Sequence, residues 1–159
     1  MGLFLFMKNA GIKVFETEKT DMLISEESVT RKLKLENSAA KKLEETIRGL
    51  QLKVEDLNVF IDTDVAIISG LAYDQATREK VVLVVGNSNG ISTVDDYMTV
   101  KKGEPGAHFY TVISGDTLGK IAKEYYGNEM NQEVIFDANK PMLIHPNKLY
   151  PGQVLRIPA

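Results

Sequence analysis

The run Val81-Val82-Leu83-Val84-Val85-Gly86-Asn87-Ser88-Asn89-Gly90-Ile91 decides how the larger part of this chain is read. Its apolar half suits a buried strand by composition. The unbroken stretch from Asp74 through Gln75-Ala76-Thr77-Arg78-Glu79-Lys80 to Gly86, with Asp74 as N-cap, is better matched to a helix. If that run closes a helix, its last carbonyls lack intrahelical partners, carry the negative end of the helix dipole, and face the glycine-bracketed turn as acceptors for a cation. Glycine just past a helix is also the ordinary way for a helix to stop, so spacing alone leaves both readings open.

Outward from this turn, Leu57, Val59 and Ile61 alternate, as do Val65 and Ile67, and Asp62-Thr63-Asp64 lies between them, which predicts a β-hairpin. A calcium loop is excluded there, because Ala66 and Ile67 stand where that loop needs a ligand and a glycine. Ser38 reads as the cap of a helix whose apolar stripe is Ala39, Leu43, Ile47 and Leu50, loosening at Gly49. Residues 17–37, rich in Glu, Lys, Ser and Thr, read as a connector with one helical turn between Glu26 and Leu35. Leu3, Phe4, Met7, Ala10, Gly11, Val14 and Phe15 fall at helical spacing and predict an amphipathic N-terminal helix. After the turn, Val94, Tyr97 and Val100 predict a third strand, with Asp95-Asp96 on its wet side or at a bulge. The Gly, Pro and charge content from Lys101 to Ala107 marks a linker.

With 159 residues and a net charge of −3, Lys and Arg being interspersed among Asp and Glu, the chain has no electrostatic footprint for nucleic acid or an anionic membrane. The absence of cysteine removes disulfides, thiolate catalysis and thiolate-held zinc. Met1 to Met7 lacks the preceding basic residue and the small-residue cleavage pattern of a signal peptide, so a retained N-terminus is expected. Phe6 stands where a myristoylation signal wants Ser or Thr. No run approaches the roughly eighteen apolar residues that cross a bilayer. His108 and His145 sit in linker and loop, and no nucleophile has an evident base or oxyanion partner, so no enzyme is expected.

From Phe109 onward, Tyr110 to Ile113 alternate as a strand, and Ser114 or Asp116 caps a helix with Leu118, Ile121, Ala122 and Tyr125 inward. Val134, Ile135 and Ala138 give a second short helix, and Pro151-Gly152 turns into a strand at Val154 to Ile157 that pairs with the first. This part resembles LysM, a βααβ module, through Tyr110-Thr-Val-Ile-Ser-Gly-Asp-Thr-Leu118, Tyr126-Gly127, Ala138-Asn139 and Pro151 to Pro158. The helix, hairpin, helix and strand order over 38–100 resembles the BON module, αββαβ. The expected fold is therefore α+β: an N-terminal helix and connector over 1–37, a BON-like module over 38–101, a linker over 102–108 and LysM over 109–159.

The two modules together, with Met1-Gly-Leu-Phe4, the Gly-Asn-x-x-Gly-Ile turn at 86–91 and Asn139-Lys-Pro-Met-Leu143, resemble the cytoplasmic potassium-binding proteins of Gram-negative bacteria. The resemblance implies a potassium ion held by main-chain carbonyls of the N-terminal segment and of the turn after the second BON helix. Carried onto this chain, these are the carbonyls of Met7, Lys8 and Ala10 and of Gly86, Ser88 and Ile91. Met7 replaces a branched aliphatic residue of the family pattern and Ser88 an isoleucine, but neither change removes a carbonyl oxygen. Potassium sheds water more easily than magnesium or calcium, and neutral carbonyl dipoles can replace its shell. The implied protein is a cytoplasmic, monomeric sensor or buffer that becomes more compact on binding. LysM modules also imply an alternative, peptidoglycan or N-acetylglucosamine binding through Gly115, Asp116, Thr117 and Leu118 and through Pro141, Met142, Leu143 and Ile144. BON modules are associated with envelopes, but Leu3 to Met7 followed by Lys8 and Lys13 makes a weak interfacial anchor, and a membrane partner is not expected.

Overall fold

The computed structural model describes residues 2–8 and 26–159. It is α+β. Among the described residues, β1 (Gly2–Leu5), β2 (Val54–Asp62), β3 (Val65–Asp74), β4 (Thr93–Asp96) and β5 (Thr99–Lys102) form one sheet, with α1 (Glu26–Gly49) and α2 (Gln75–Gly86) against its inner side. The hairpin β2–β3 is antiparallel, β4 and β5 run parallel to successive halves of β3, and β1 pairs antiparallel with β4 at the edge. A second sheet pairs β6 (His108–Thr111) with β7 (Val154–Ile157), and α3 (Leu118–Tyr126) and α4 (Gln132–Ala138) complete that unit.

The second half of α2, Val81 to Val85, is apolar on every side, which is the mark of a helix covered on more than one side. Val81, Val82, Leu83 and Val85 are each buried, because α2 packs on the β3 side of the large sheet and on β7 of the small one. The Asp74 carboxylate accepts the Thr77 N–H at 2.7 Å, as the sequence leads one to expect of the cap. This double burial is why a five-residue aliphatic run gives no amphipathic signal.

Four readings of local structure are corrected. Over Gly2–Leu5 the N-terminal segment is a strand rather than a helix, because the edge of β4 offers it ladder partners; Ala10, Gly11, Val14 and Phe15 of the expected helix lie outside the described residues. The helix assigned to start at Ser38 begins at Glu26, so Ser38 lies inside it. Its first turn carries Glu26 and Glu27, which favour the positive end of the helix dipole. Glu36 adds a turn to its inward stripe, since its carboxylate accepts the Thr63 N–H of the hairpin turn at 2.6 Å. The single strand drawn through Val94, Tyr97 and Val100 is two strands, interrupted where the Asp96 carboxylate takes the Met98 N–H and the Arg78 guanidinium, both at 2.8 Å. Asp96 is thus buried and paired, not wet. Finally, Thr117 caps α3 through the Lys120 N–H, and Asp116 instead accepts the Ile113 N–H at 2.9 Å and the Tyr110 hydroxyl at 2.7 Å. That last bond, together with burial, pushes the Tyr110 phenol up to about 12.

The inner faces carry two apolar clusters. Leu43, Ile47, Ile61, Ile68 and Val94 centre the larger, and Leu118, Ile121, Ile135, Leu155 and Ile157 the smaller. Polar contacts join them. The Asn87 side chain donates to the Val154 carbonyl at 2.8 Å and accepts the Val154 N–H at 2.7 Å. Glu79 on α2 accepts from the Arg156 guanidinium on β7 at 3.0 Å and from the Ala107 N–H of the connection at 3.0 Å. The Phe4 ring meets the Phe109 ring with centroids 5.2 Å apart.

Candidate functional site

The C-terminus of α2 ends in a tight sequence of backbone bonds. The Asn87 N–H donates to the Leu83 carbonyl at 2.9 Å, the Ser88 N–H to Val85 at 3.1 Å and the Ile91 N–H to Ser88 at 3.3 Å. The Ser88 side chain is buried and its hydroxyl folds back to donate to the Val84 carbonyl at 2.7 Å, so it satisfies one helix-end oxygen rather than pointing into the turn. Among the described residues, no backbone amide donates to the carbonyls of Gly86 or Ile91. Those oxygens retain the partial negative charge of a helix end and its turn.

The N-terminal segment comes to this turn. Beyond β1, the Phe6 N–H donates to the Ser92 carbonyl at 2.8 Å, and the Gly90 N–H donates to the Lys8 carbonyl at 2.6 Å. The Phe6 ring occupies the space where a side chain on Gly86 would begin: a Cβ there would lie 2.1 Å from it. Gly86 is therefore a packing requirement. Of the six carbonyl positions carried over from the family, Met7, Lys8, Gly86, Ser88 and Ile91 lie in these two adjoining segments, and Ala10 lies outside the described residues.

A third element reaches the same place. The Asp64 carbonyl, at the hairpin turn, accepts the Ser92 N–H at 2.8 Å and the Thr93 N–H at 3.2 Å. The Asp64 carboxylate accepts the Ser92 hydroxyl at 2.7 Å and stands 3.8 Å from the Lys8 ammonium. The Ser92 bond first, and the Lys8 charge after it, hold the Asp64 carboxyl below its ordinary 3.8, against the opposing effect of burial. A carboxyl whose folded value is depressed stabilises the fold above its unfolded value, and that contribution disappears as pH falls through the folded value. Asp64→Asn is therefore expected to lower Tm at neutral pH, where the contribution is fully present, and to converge with the wild type as pH falls below 3.8. Superimposable curves for variant and wild type would remove Asp64 from this role.

Asp64, Ser92 and Phe6 were not legible as site residues. Their contacts to the turn or hairpin are made at long range, and the sequence carries no sign that the hairpin tip folds back on residue 92. The donors assembled here are neutral carbonyls, with one carboxylate already balanced by a lysine. Among the described residues no group of three or more His, Cys, Asp or Glu side chains is placed to hold a metal ion. This donor set fits a large monovalent cation better than a divalent one, which takes charged oxygens at short distances.

The positions of the glycan reading divide differently. Leu118 and Leu143 are core residues, Thr117 and Asp116 make the bonds described above, and the Gly115 carbonyl accepts the Lys120 ammonium at 2.9 Å. Pro141 follows a cis peptide, Met142 is half-buried, and Ile144 is 87% exposed. Among the described residues, no hydrogen bond joins the 115–118 loop to the 141–144 loop.

The LysM domain family model matches residues 110–158. The potassium binding protein Kbp of Escherichia coli O6:H1 is 40% identical over 161 aligned positions, covering 99% of this chain and 99% of that protein. An uncharacterized protein of Deinococcus radiodurans is 43% identical over 59 positions, covering 37% of this chain and 22% of its own length. Among the described residues, no helix is long and apolar enough to cross a membrane.

Proposed function

Because this chain belongs to the family of the potassium binding protein Kbp, we propose that it is itself a potassium-ion-binding protein, a cytoplasmic sensor or buffer rather than an enzyme. The ion is held by backbone carbonyls of Met7, Lys8 and Ala10 from the N-terminal segment and of Gly86, Ser88 and Ile91 from the turn after α2. The single observation that carries this reading is the bond from the Gly90 N–H to the Lys8 carbonyl, which brings two segments more than eighty residues apart to one place. An ion bound between them favours the docked segment by mass action, as any ligand of one conformer does. Potassium then makes the molecule more compact.

The test is titration calorimetry with potassium and sodium chloride, paired with small-angle scattering in each salt. Potassium is expected to give a saturable heat, a higher Tm and a smaller radius of gyration; equal Tm and equal scattering in the two salts would overturn the reading. Removal of residues 2–8 should abolish the heat and leave the LysM domain folded. The LysM match also supports the second reading, binding of peptidoglycan. Retention on purified cell-wall sacculi that does not respond to potassium would favour it.

A further inference from the structure

The outer face of the large sheet carries an ordered apolar row. Directly opposed residues set Leu3, Asp95, Ile67 and Phe60 side by side across β1, β4, β3 and β2. Leu5 extends the row along β1, and Tyr97 stands two residues beyond Asp95. Leu3 is 67%, Leu5 76%, Phe60 49% and Tyr97 48% exposed. Single exposed apolar residues are ordinary, but several gathered on one face, here around the one carboxylate of Asp95, mark an interaction surface.

Two of these side chains belong to β1, and β1 leads directly into the segment that meets the cation turn. Whatever fixes Phe6 against Gly86 and Lys8 against Gly90 also holds Leu3 and Leu5 in line with Ile67 and Phe60. Release of that segment would remove one end of the row. We infer that this outer face is a potassium-gated docking surface for a polypeptide segment of another protein, one that carries an Arg or Lys flanked by apolar residues; the inference rests on the potassium reading above.

Charge identifies the occupant. Asp95 lies within the row, and among the described residues no Lys or Arg pairs with it; the Tyr97 hydroxyl is its neighbour, held protonated to higher pH by that carboxylate. A second copy seated about a two-fold axis on this face would bring the two Asp95 carboxylates together, which disfavours self-association. A cationic side chain from a partner meets Asp95 with the Tyr97 ring as its neighbour, an arrangement that suits arginine best, while the apolar residues flanking it reach Ile67 and Phe60 across β3 and β2.

The test places the photo-cross-linking residue p-benzoylphenylalanine at position 60 in cells grown with ample or limiting potassium, and maps the cross-linked segment by mass spectrometry. That segment is then made as a peptide, and its affinity measured in potassium and in sodium for the wild type and for Asp95→Lys. The peptide is expected to contain a basic residue between apolar ones and to bind at least about tenfold more tightly in potassium. Asp95→Lys should weaken it about tenfold or more and leave the calorimetric potassium affinity unchanged. No protein cross-link, a cross-link to a second copy or to lipid, a segment without a basic residue, or affinity equal in the two salts or unmoved by Asp95→Lys would overturn the inference. If the wild type takes up no potassium by calorimetry, the reading beneath it fails; if potassium binds and the peptide does not respond, only the docking surface fails.

Discussion

Glu79→Leu is expected to lower the free energy of unfolding by about 3–5 kcal/mol, the cost of leaving a buried charge without its partner. Glu79 is 5% exposed and Arg156 9% exposed. One Glu79 oxygen accepts the Arg156 Nε–H at 3.0 Å; the other accepts the Ala107 N–H and the Gln75 side-chain amide, each at 3.0 Å. With leucine in place, the Arg156 guanidinium keeps the Ala138 carbonyl at 3.3 Å but loses its counter-charge. The consequence is not confined to one element, because this carboxylate ties α2, the connection before β6 and β7 together. Glu79→Leu combined with Arg156→Met removes both charges, and such an exchange is often neutral or stabilising, so it should recover most of the loss. Urea unfolding followed by circular dichroism measures both variants. A single substitution costing under about 1 kcal/mol, or a double no better than the single, would show that water already solvates the pair.

Gly86→Ala is expected to lower both potassium affinity and stability. Gly86 is the last helical residue and has no positive φ, so the helix preference for alanine, about 1 kcal/mol in a helix interior, does not offset the packing that is lost. The new Cβ would fall 2.1–2.2 Å from three atoms of the Phe6 ring, and the ring must leave. Forfeiting its burial costs about 2 kcal/mol of docking energy, which corresponds to a potassium affinity lower by roughly 30-fold. Phe6→Ala should show a similar loss, and the double variant should be little worse than either single, because both act through the same contact. Calorimetry decides the matter. Unchanged affinity in Gly86→Ala would mean that the segment docks without Phe6, and an additive double variant would mean that Gly86 acts by another route.

The helix terminus of the proposed site has surroundings that are fixed elsewhere. Asn87, the residue just past α2, is locked to both backbone groups of Val154, so the start of the turn is referenced to the LysM domain as well as to its own helix. The hairpin tip at Asp64 fixes the opposite side through Ser92 and Thr93. The third side is the short N-terminal strand, an edge strand of four residues, and its docking is the step that the proposed ion would favour.

The sequence by itself determined those features whose cause lies within a few residues or along one face: the alternation of β2 and β3, the Asp74 cap, the inward Leu118, Ile121 and Ala122 of α3, and the pairing of residues near Tyr110 with Val154 to Ile157. Tertiary structure alone decided whether residues 2–5 form helix or strand, where α1 begins, and why the Val81 to Val85 half of α2 is apolar on every side. The edge of β4, the hairpin turn at Thr63 and the surface of β7 each supply the partner that settles one of these. In each case a backbone or side-chain group is satisfied by a residue distant in sequence, and local spacing carries no record of that partner.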